Sequence, residues 1–207
     1  GHAMKIRVSG GSGLVLVLAL GASLAYSAEN QETKQLTTQV CAACHGPRGI
    51  STSPAFPNLA GQKAVYIEAQ LKGFKDHSRG DPGAMAFMWG MSSQLGDETI
   101  KRLAAHYAAL APARGTPADK SLVAKGKQIY DEGIAEGGIP ACTVCHGASA
   151  EGNEGVPRLA GQHAPYLVKQ LAYFKSLQRG NAPVMHAVGE NLTLDQMEAA
   201  AAYAASK

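Results

Sequence analysis

The chain has 207 residues, of which 45% are hydrophobic but only 6% are aromatic. This length allows one large domain or two small ones. If there are two, the small number of aromatic side chains cannot fill both cores without a bound apolar group. The formal net charge of +3 at pH 7 is far below the basic excess expected of a nucleic-acid-binding protein. The composition therefore argues against a nucleic-acid partner and favours a prosthetic group.

The first predicted element is an export signal within residues 1–28. The residues before the first methionine have the character of a tag remnant. Lys5 and Arg7 then provide a basic start, residues 14–20 are apolar and residues 22–28 are mostly small, which is the order of a secretory signal peptide. The alternative is a retained membrane anchor, but this apolar stretch is shorter than the ~20 residues that span a bilayer. We therefore expect a cleaved signal and an exported protein that is soluble or loosely membrane-associated.

The remainder of the chain contains one sequence pattern twice, which is the mark of an internal repeat. The motif Cys-x-x-Cys-His begins at Cys41 and again at Cys142. The motif Pro-x-Leu-Ala-Gly-Gln follows it in both copies, at 57–62 and at 157–162. Proline, glycine and small residues lie between the copies and suit a linker. We therefore predict domain 1 at residues 29–111, the linker at 112–120 and domain 2 at 121–207.

Each domain is predicted to contain three helices in the same order. An N-terminal helix leads to the first cysteine, a middle helix follows the Pro-x-Leu-Ala-Gly-Gln motif, and a last helix ends the domain. The middle helices are expected at about 65–75 and 165–176, and the last helices at about 97–110 and 194–205. Thr193 and Gln196 have the spacing of a capping box, which would start the last helix of domain 2. Alternating β-branched runs are absent, so the predicted fold is all-α.

The Cys-x-x-Cys-His motif is the attachment pattern of c-type haem. On one helical turn, the thiols of Cys41 and Cys44 can reach the two haem vinyl groups while the imidazole of His45 points at the iron. The corresponding residues of domain 2 are Cys142, Cys145 and His146. A zinc site and a thioredoxin-like pair also use Cys-x-x-Cys, but neither explains the adjacent histidine in both copies. We therefore predict two covalently bound haem c groups, which use all four cysteines of the chain.

The second axial ligand of each iron is predicted to be a methionine, because His/Met ligation is typical of cytochromes c. Domain 2 offers only Met185 in the corresponding loop, whereas domain 1 offers Met85, Met88 and Met91. When the copies are aligned on the leucines after these loops, Met88 corresponds to Met185. We therefore predict Met88 and Met185 as iron ligands. The other two are expected to fill space beside the haem.

Further repeated positions are expected near the haems. The carbonyls of Pro57 and Pro157 are predicted to accept the second imidazole N–H of the motif histidines, although plain turn prolines are the alternative. Other repeated polar side chains either bond haem propionates or have structural roles, with the tyrosines in the core and the arginines in solvent. They are Tyr66, Tyr166, Arg79 and Arg179.

Several motifs together resemble the dihaem cytochrome c4 family. They are Phe56–Gln62 with its repeat, and Gly126–Tyr130 leading to Pro140–His146. The resemblance covers nearly everything after the signal and implies two class I cytochrome c domains packed together, each with His/Met-ligated iron. It also implies a periplasmic carrier that moves electrons from the cytochrome bc complex or similar donors to terminal oxidases or other acceptors. The N-terminal helix of domain 1 departs from the pattern, since it lacks the glycine and aromatic residue that domain 2 has, and its packing on the last helix stays open.

A simple electron carrier has two competitors. One is the cytochrome subunit of a flavocytochrome c sulfide dehydrogenase, and the other is a dihaem redox enzyme such as a peroxidase or a thiosulfate dehydrogenase. Catalysis at iron needs an open or weakly held axial position, and Met88 and Met185 argue against one. We therefore predict a carrier with redox proteins as partners, and not an enzyme.

Overall fold

The computed structural model describes residues 29–207, so the predicted tag remnant and signal peptide at 1–28 lie outside the described residues. Within the described part the secondary structure is helical, with an isolated β-bridge between Ile134 and Ile139. The predicted all-α fold is therefore confirmed. No helix between residues 29 and 207 is both long and apolar enough to cross a membrane.

The helices of domain 1 follow the predicted order. Helix α1 runs through residues 29–35, a π-helical turn at Leu36–Cys41 and a final α-helical turn at Ala42–His45. It is followed by α2 (Ala64–Lys75), by α3, which is a π-helical turn at Ala84–Met88 continued by Trp89–Ser92, and by α4 (Asp97–Ala108). The middle and last helices lie close to their predicted positions. Helix α3 is additional to the predicted set.

Domain 2 repeats this arrangement, except that a 3₁₀ turn separates its N-terminal helix from its motif turn. Its elements are α5 (Lys120–Glu132), a 3₁₀ turn (Ala135–Gly137), α6 (Thr143–His146), α7 (Ala164–Lys175), α8 (Pro183–Gly189) and α9 (Leu194–Ala205). The predicted capping box is confirmed, because Thr193 and Gln196 each accept a hydrogen bond from the other's backbone N–H. Helix α5 begins at Lys120, the last residue of the predicted linker.

The hydrophobic core of each domain lies beside the first cysteine of its motif. In domain 1, Ile67 on α2 and Tyr107 on α4 are buried together, and Cys41 packs against them. In domain 2, Tyr130 on α5 packs in a cluster that Cys142 borders. The middle and last helices therefore hold the motif turn of each domain against a packed interior.

Candidate haem sites

In both domains the Cys-x-x-Cys-His motif lies on a short helical turn. In domain 1, Cys41 ends the π-helical turn and the rest of the motif completes α1, whereas in domain 2 the motif occupies Cys142 and α6. Both turns are followed by a glycine with positive φ, 77° at Gly46 and 80° at Gly147. Glycine adopts this conformation without strain, so each helix stops directly after its histidine.

The four motif cysteines form no disulfide bond with one another. Burial raises the pKa of Cys41, and it raises the pKa of Cys142 to about 11. These two thiols are protonated at neutral pH, unlike the thiolates of redox-active Cys-x-x-Cys pairs. Within residues 29–207, no three His, Cys, Asp or Glu side chains lie close enough to hold a metal ion by themselves. The raised pKa values of Cys41 and Cys142 therefore argue against a thioredoxin-like redox pair.

His45 and His146 are buried, and each is held by one hydrogen bond. Nδ1–H of His45 donates to the carbonyl of Pro57 over 2.9 Å, and Nδ1–H of His146 donates to that of Pro157 over 3.0 Å. Because a carbonyl can only accept, Nδ1 carries the hydrogen and Nε2 keeps its lone pair. Burial lowers the pKa of both imidazoles more than the proline carbonyls raise it. Each histidine is therefore neutral at pH 7, the form that binds a metal through Nε2.

Exposure separates the three methionines of domain 1. Met85 and Met91 are 49% and 55% exposed, whereas Met88 is half-buried at the end of its π-helical turn. Met185, on α8, is half-buried as well. Met88 and Met185 are thus both half-buried, which agrees with the register of the repeat. Their role as iron ligands stays a prediction.

The residue after each of these half-buried methionines ties its short helix to the rest of the domain. Nε1–H of Trp89 donates to the carbonyl of Arg79 over 2.8 Å, and the Trp89 ring stacks on His77 with centroids 3.9 Å apart. In domain 2, Nδ1–H of His186 donates to the carbonyl of Phe174, on α7, over 2.8 Å. These bonds fix α3 and α8 relative to the preceding part of each domain.

The repeated arginines and tyrosines meet where the two domains touch. Arg79 and Arg179 are 5% and 3% exposed, so the alternative of a solvated arginine pair is wrong. Nη2 of Arg79 donates to the hydroxyl of Tyr166 over 3.3 Å, and Nη2 of Arg179 donates to that of Tyr66 over 2.8 Å. Arg79 also pairs with the buried Asp81 over 2.9 Å. Each arginine therefore lies buried where its domain contacts the opposite one, and a role toward haem propionates stays a prediction.

A second set of bonds between the domains lies beside the two prolines. The side chain of Gln162 bonds to the backbone of Asn58, and the side chain of Gln62 bonds to the backbone of Arg158. The sequence marks these glutamines only as the last residue of the repeated Pro-x-Leu-Ala-Gly-Gln motif. Recurrence identifies them as equivalent positions, but it gives no sign that each contacts the other domain.

Comparison with known proteins shows which protein family contains this pair of sites. The family model for cytochrome c matches the chain twice, over residues 31–110 and 123–206. The solved structure of cytochrome c4 from Acidithiobacillus ferrooxidans is 39% identical, and the match covers 81% of this chain and 98% of that one with a TM-score of 0.77. The chain belongs to the cytochrome c4 family. It is a dihaem electron-transfer cytochrome with two covalently bound haem c groups.

Two curated relatives agree with this assignment. Cytochrome c4 from Azotobacter vinelandii is 36% identical over 92% of this chain and 95% of its own length. A protein named thiosulfate dehydrogenase electron acceptor, from Thiomonas intermedia, is also 36% identical, over 81% of this chain and 78% of its own length. The cytochrome c4 resemblance and the predicted pair of haems are thereby confirmed. Redox proteins are the partners of such a chain.

Proposed function

We propose that each domain holds one haem through its repeated motif, with two thioether bonds from cysteines and axial bonds from histidine Nε2 and methionine Sδ. The residues are Cys41, Cys44, His45 and Met88 for haem 1, and Cys142, Cys145, His146 and Met185 for haem 2. The observation that carries the proposal is the hydrogen bond from histidine Nδ1–H to a proline carbonyl, found in both domains. It orients each imidazole and leaves Nε2 as the donor atom.

When bound, each haem would supply one-electron chemistry, through the change of its iron between Fe(III) and Fe(II). The side chains around it determine how readily this happens. A neutral imidazole supplies a lone pair, the proline carbonyl fixes its orientation, and the methionine thioether favours Fe(II) and raises the reduction potential. With a histidine and a methionine of this chain holding each iron, no position there would be left for a substrate. Electron transfer would then be outer-sphere, to a docked partner, as expected of a carrier and not of an enzyme.

We propose further that the protein works in the periplasm, where it accepts electrons from the cytochrome bc complex or a similar donor and passes them to terminal oxidases or other acceptors. The predicted export signal and the membership of the cytochrome c4 family support this proposal. The name of the Thiomonas intermedia relative adds a thiosulfate-oxidising dehydrogenase as a second class of donor. The relatives do not favour a flavocytochrome subunit or a dihaem enzyme.

The axial assignment is tested by the near-infrared sulfur-to-iron charge-transfer band and by spectroelectrochemical titration. Met88→Ala should remove the contribution of haem 1 to the band and lower its potential, because the thioether favours Fe(II). Met185→Ala should do the same to haem 2. Met85→Leu and Met91→Leu are matched controls at exposed positions and should leave the band intact. If a control loses the band while Met88→Ala keeps it, haem 1 has a different ligand.

Carbon monoxide distinguishes a carrier from an enzyme, because it binds Fe(II) only where an axial position is open. The reduced protein should bind carbon monoxide slowly or not at all at neutral pH. Absorbance after rapid mixing measures this. The alanine variants of the two axial methionines serve as positive controls, since each opens one position. Rapid binding to the unmodified protein would favour a dihaem enzyme.

A further inference from the structure

The glutamines at the domain contact bind the opposite domain reciprocally. The side-chain amide of Gln162 accepts a hydrogen bond from Asn58 N–H over 2.9 Å and donates one to the Asn58 carbonyl over 2.9 Å. The amide of Gln62 accepts from Arg158 N–H over 2.8 Å and donates to the Arg158 carbonyl over 2.9 Å. Gln62 and Gln162 are only 7% and 6% exposed, so water competes little for these bonds.

Each of these backbone N–H groups is joined directly to the acceptor of a motif histidine. The N–H of Asn58 and the carbonyl of Pro57 belong to one peptide group, and that carbonyl accepts the hydrogen bond from His45. Gln162 in domain 2 is therefore one peptide group and two hydrogen bonds away from the imidazole in domain 1. The equivalent path in the other direction runs from Gln62 through Arg158 and Pro157 to His146.

A peptide group passes polarisation from its N–H to its carbonyl, because resonance couples the nitrogen to the oxygen. When the N–H donates to a glutamine oxygen, the carbonyl becomes a stronger acceptor, as in other chains of hydrogen bonds. A stronger acceptor at Nδ1–H raises the basicity of a metal-bound imidazole. A more basic ligand stabilises Fe(III) relative to Fe(II) and so lowers the reduction potential.

We infer that each glutamine tunes the haem of the opposite domain, with Gln162 lowering the reduction potential of haem 1 and Gln62 lowering that of haem 2. The inference rests on the proposed axial roles of His45 and His146. Both glutamines are positioning residues that act through a peptide group and a histidine. The contact between the domains thus sets the potential of both haems, in addition to holding the domains together.

Spectroelectrochemical titration of Gln162→Leu and Gln62→Leu in the holoprotein tests this crossed assignment. Leucine retains much of the glutamine volume but can neither accept nor donate a hydrogen bond. Gln162→Leu should raise the potential of haem 1 by at least about 28 mV, which is a threefold change in its reduction equilibrium at about 59 mV per tenfold for one electron. Haem 2 should change less, and Gln62→Leu should show the opposite pattern. Because both variants loosen the same contact, each controls for the other.

The Hδ1 resonances of the axial histidines in the reduced protein give a second readout. Gln162→Leu should move the His45 resonance upfield, as its hydrogen bond weakens, and leave that of His146 in place. Gln162→Glu keeps an acceptor oxygen for the Asn58 N–H and should return the potential of haem 1 to the original value or below. This variant also reports on the inference if the leucine variant fails to fold.

Three results would overturn the inference. They are equal shifts of both haems, a larger shift in the haem of the mutated domain, and unchanged Hδ1 resonances. Failure of the proposed function would look different, because the unmodified reduced protein would then lack the upfield signals of axial methionine and histidine.

Discussion

Domains 1 and 2 have the same order of helices but differ where the N-terminal helix crosses the last helix. In domain 2, α5 approaches α9 so closely that a Cβ atom on Gly126 would clash with the carbonyl oxygen of Ala199. In domain 1, side chains bridge the crossing of α1 and α4, with Arg102 bonded to Glu32 over 2.9 Å and to Thr33 over 3.2 Å. Domain 1 therefore replaces the missing glycine and aromatic residue with polar contacts.

The two crossings should contribute differently to stability. The contact in domain 2 is between backbones in a packed interior, where even one added methyl group is felt. The pair in domain 1 is partly in solvent, with side-chain exposures of 23% for Arg102 and 50% for Glu32. Partly exposed ion pairs contribute little and are screened by salt. The same fold therefore forms with either kind of contact between the N-terminal and last helices. We expect the stability of domain 2 to depend on its contact more than that of domain 1.

Gly126→Ala should have the largest effect, because the added methyl group would clash with the Ala199 backbone on α9. We expect a loss of about 3 kcal/mol in the free energy of unfolding of domain 2, at the upper end for overpacking. Hydrogen exchange of the α9 amides measures it, and the α4 amides of domain 1 should be unaffected. Lys125→Ala, at the adjacent exposed position, is the control. An unchanged exchange rate in α9 would mean that the helices separate at little cost.

Tyr130→Phe should have an intermediate effect and sharpen the comparison. The Tyr130 hydroxyl donates to the carbonyl of Gly147 over 2.9 Å, which connects α5 to the end of the haem-attachment turn. Removing it should reduce the free energy of unfolding of domain 2 by about 1 kcal/mol, the usual contribution of one hydrogen bond. Denaturant unfolding measures the change. The Tyr203 ring lies 5.2 Å from that of Tyr130, so Tyr203→Phe removes a neighbouring hydroxyl without touching this bond and should cost less. Equal losses would show that the hydrogen bond to Gly147 adds nothing to the stability of domain 2.

Arg102→Ala should have the smallest effect, about 0.5 kcal/mol in the free energy of unfolding of domain 1, because its ion pair is partly exposed. Hydrogen exchange of the α4 amides at low and high salt measures it, and the difference should shrink as salt rises. Lys101→Ala is the control, since Lys101 pairs with Glu98 on the same helix. A loss as large as that of Gly126→Ala would mean that the two helix crossings contribute equally to stability.

Features that depend on neighbours in the chain could be predicted from the sequence. The capping box of Thr193 and Gln196 forms as predicted, because its two residues are close in the chain and interact directly. Helix α3 could not be predicted in the same way, since its π-helical turn directly follows a stretch that contains Pro82 and Gly83 and has the composition of a loop.

The residue contacts between the two copies could not be predicted from the sequence. The burial of Arg79 and Arg179 is one case, because a repeat reveals which positions are equivalent but not which surfaces face each other. The glutamine contacts are another, since their partners are backbone groups that any residue could supply. The proline acceptors beside them could be anticipated because the chemistry of a bound histidine calls for one.

At the domain contact, equivalent residues of the two domains make the same bond in both directions. Arg79 bonds to Tyr166, and Arg179 bonds to Tyr66. This is the isologous pattern of a homodimer with a two-fold axis. In a homodimer, every substitution alters both sides of the contact at once. In a single chain each side can change alone, and Asp81 beside Arg79 has its counterpart in the uncharged Asn181 beside Arg179. Covalent linkage of the halves thus allows a symmetric contact to carry an unsymmetric charge, so that selection can act on one side of the contact without altering the other.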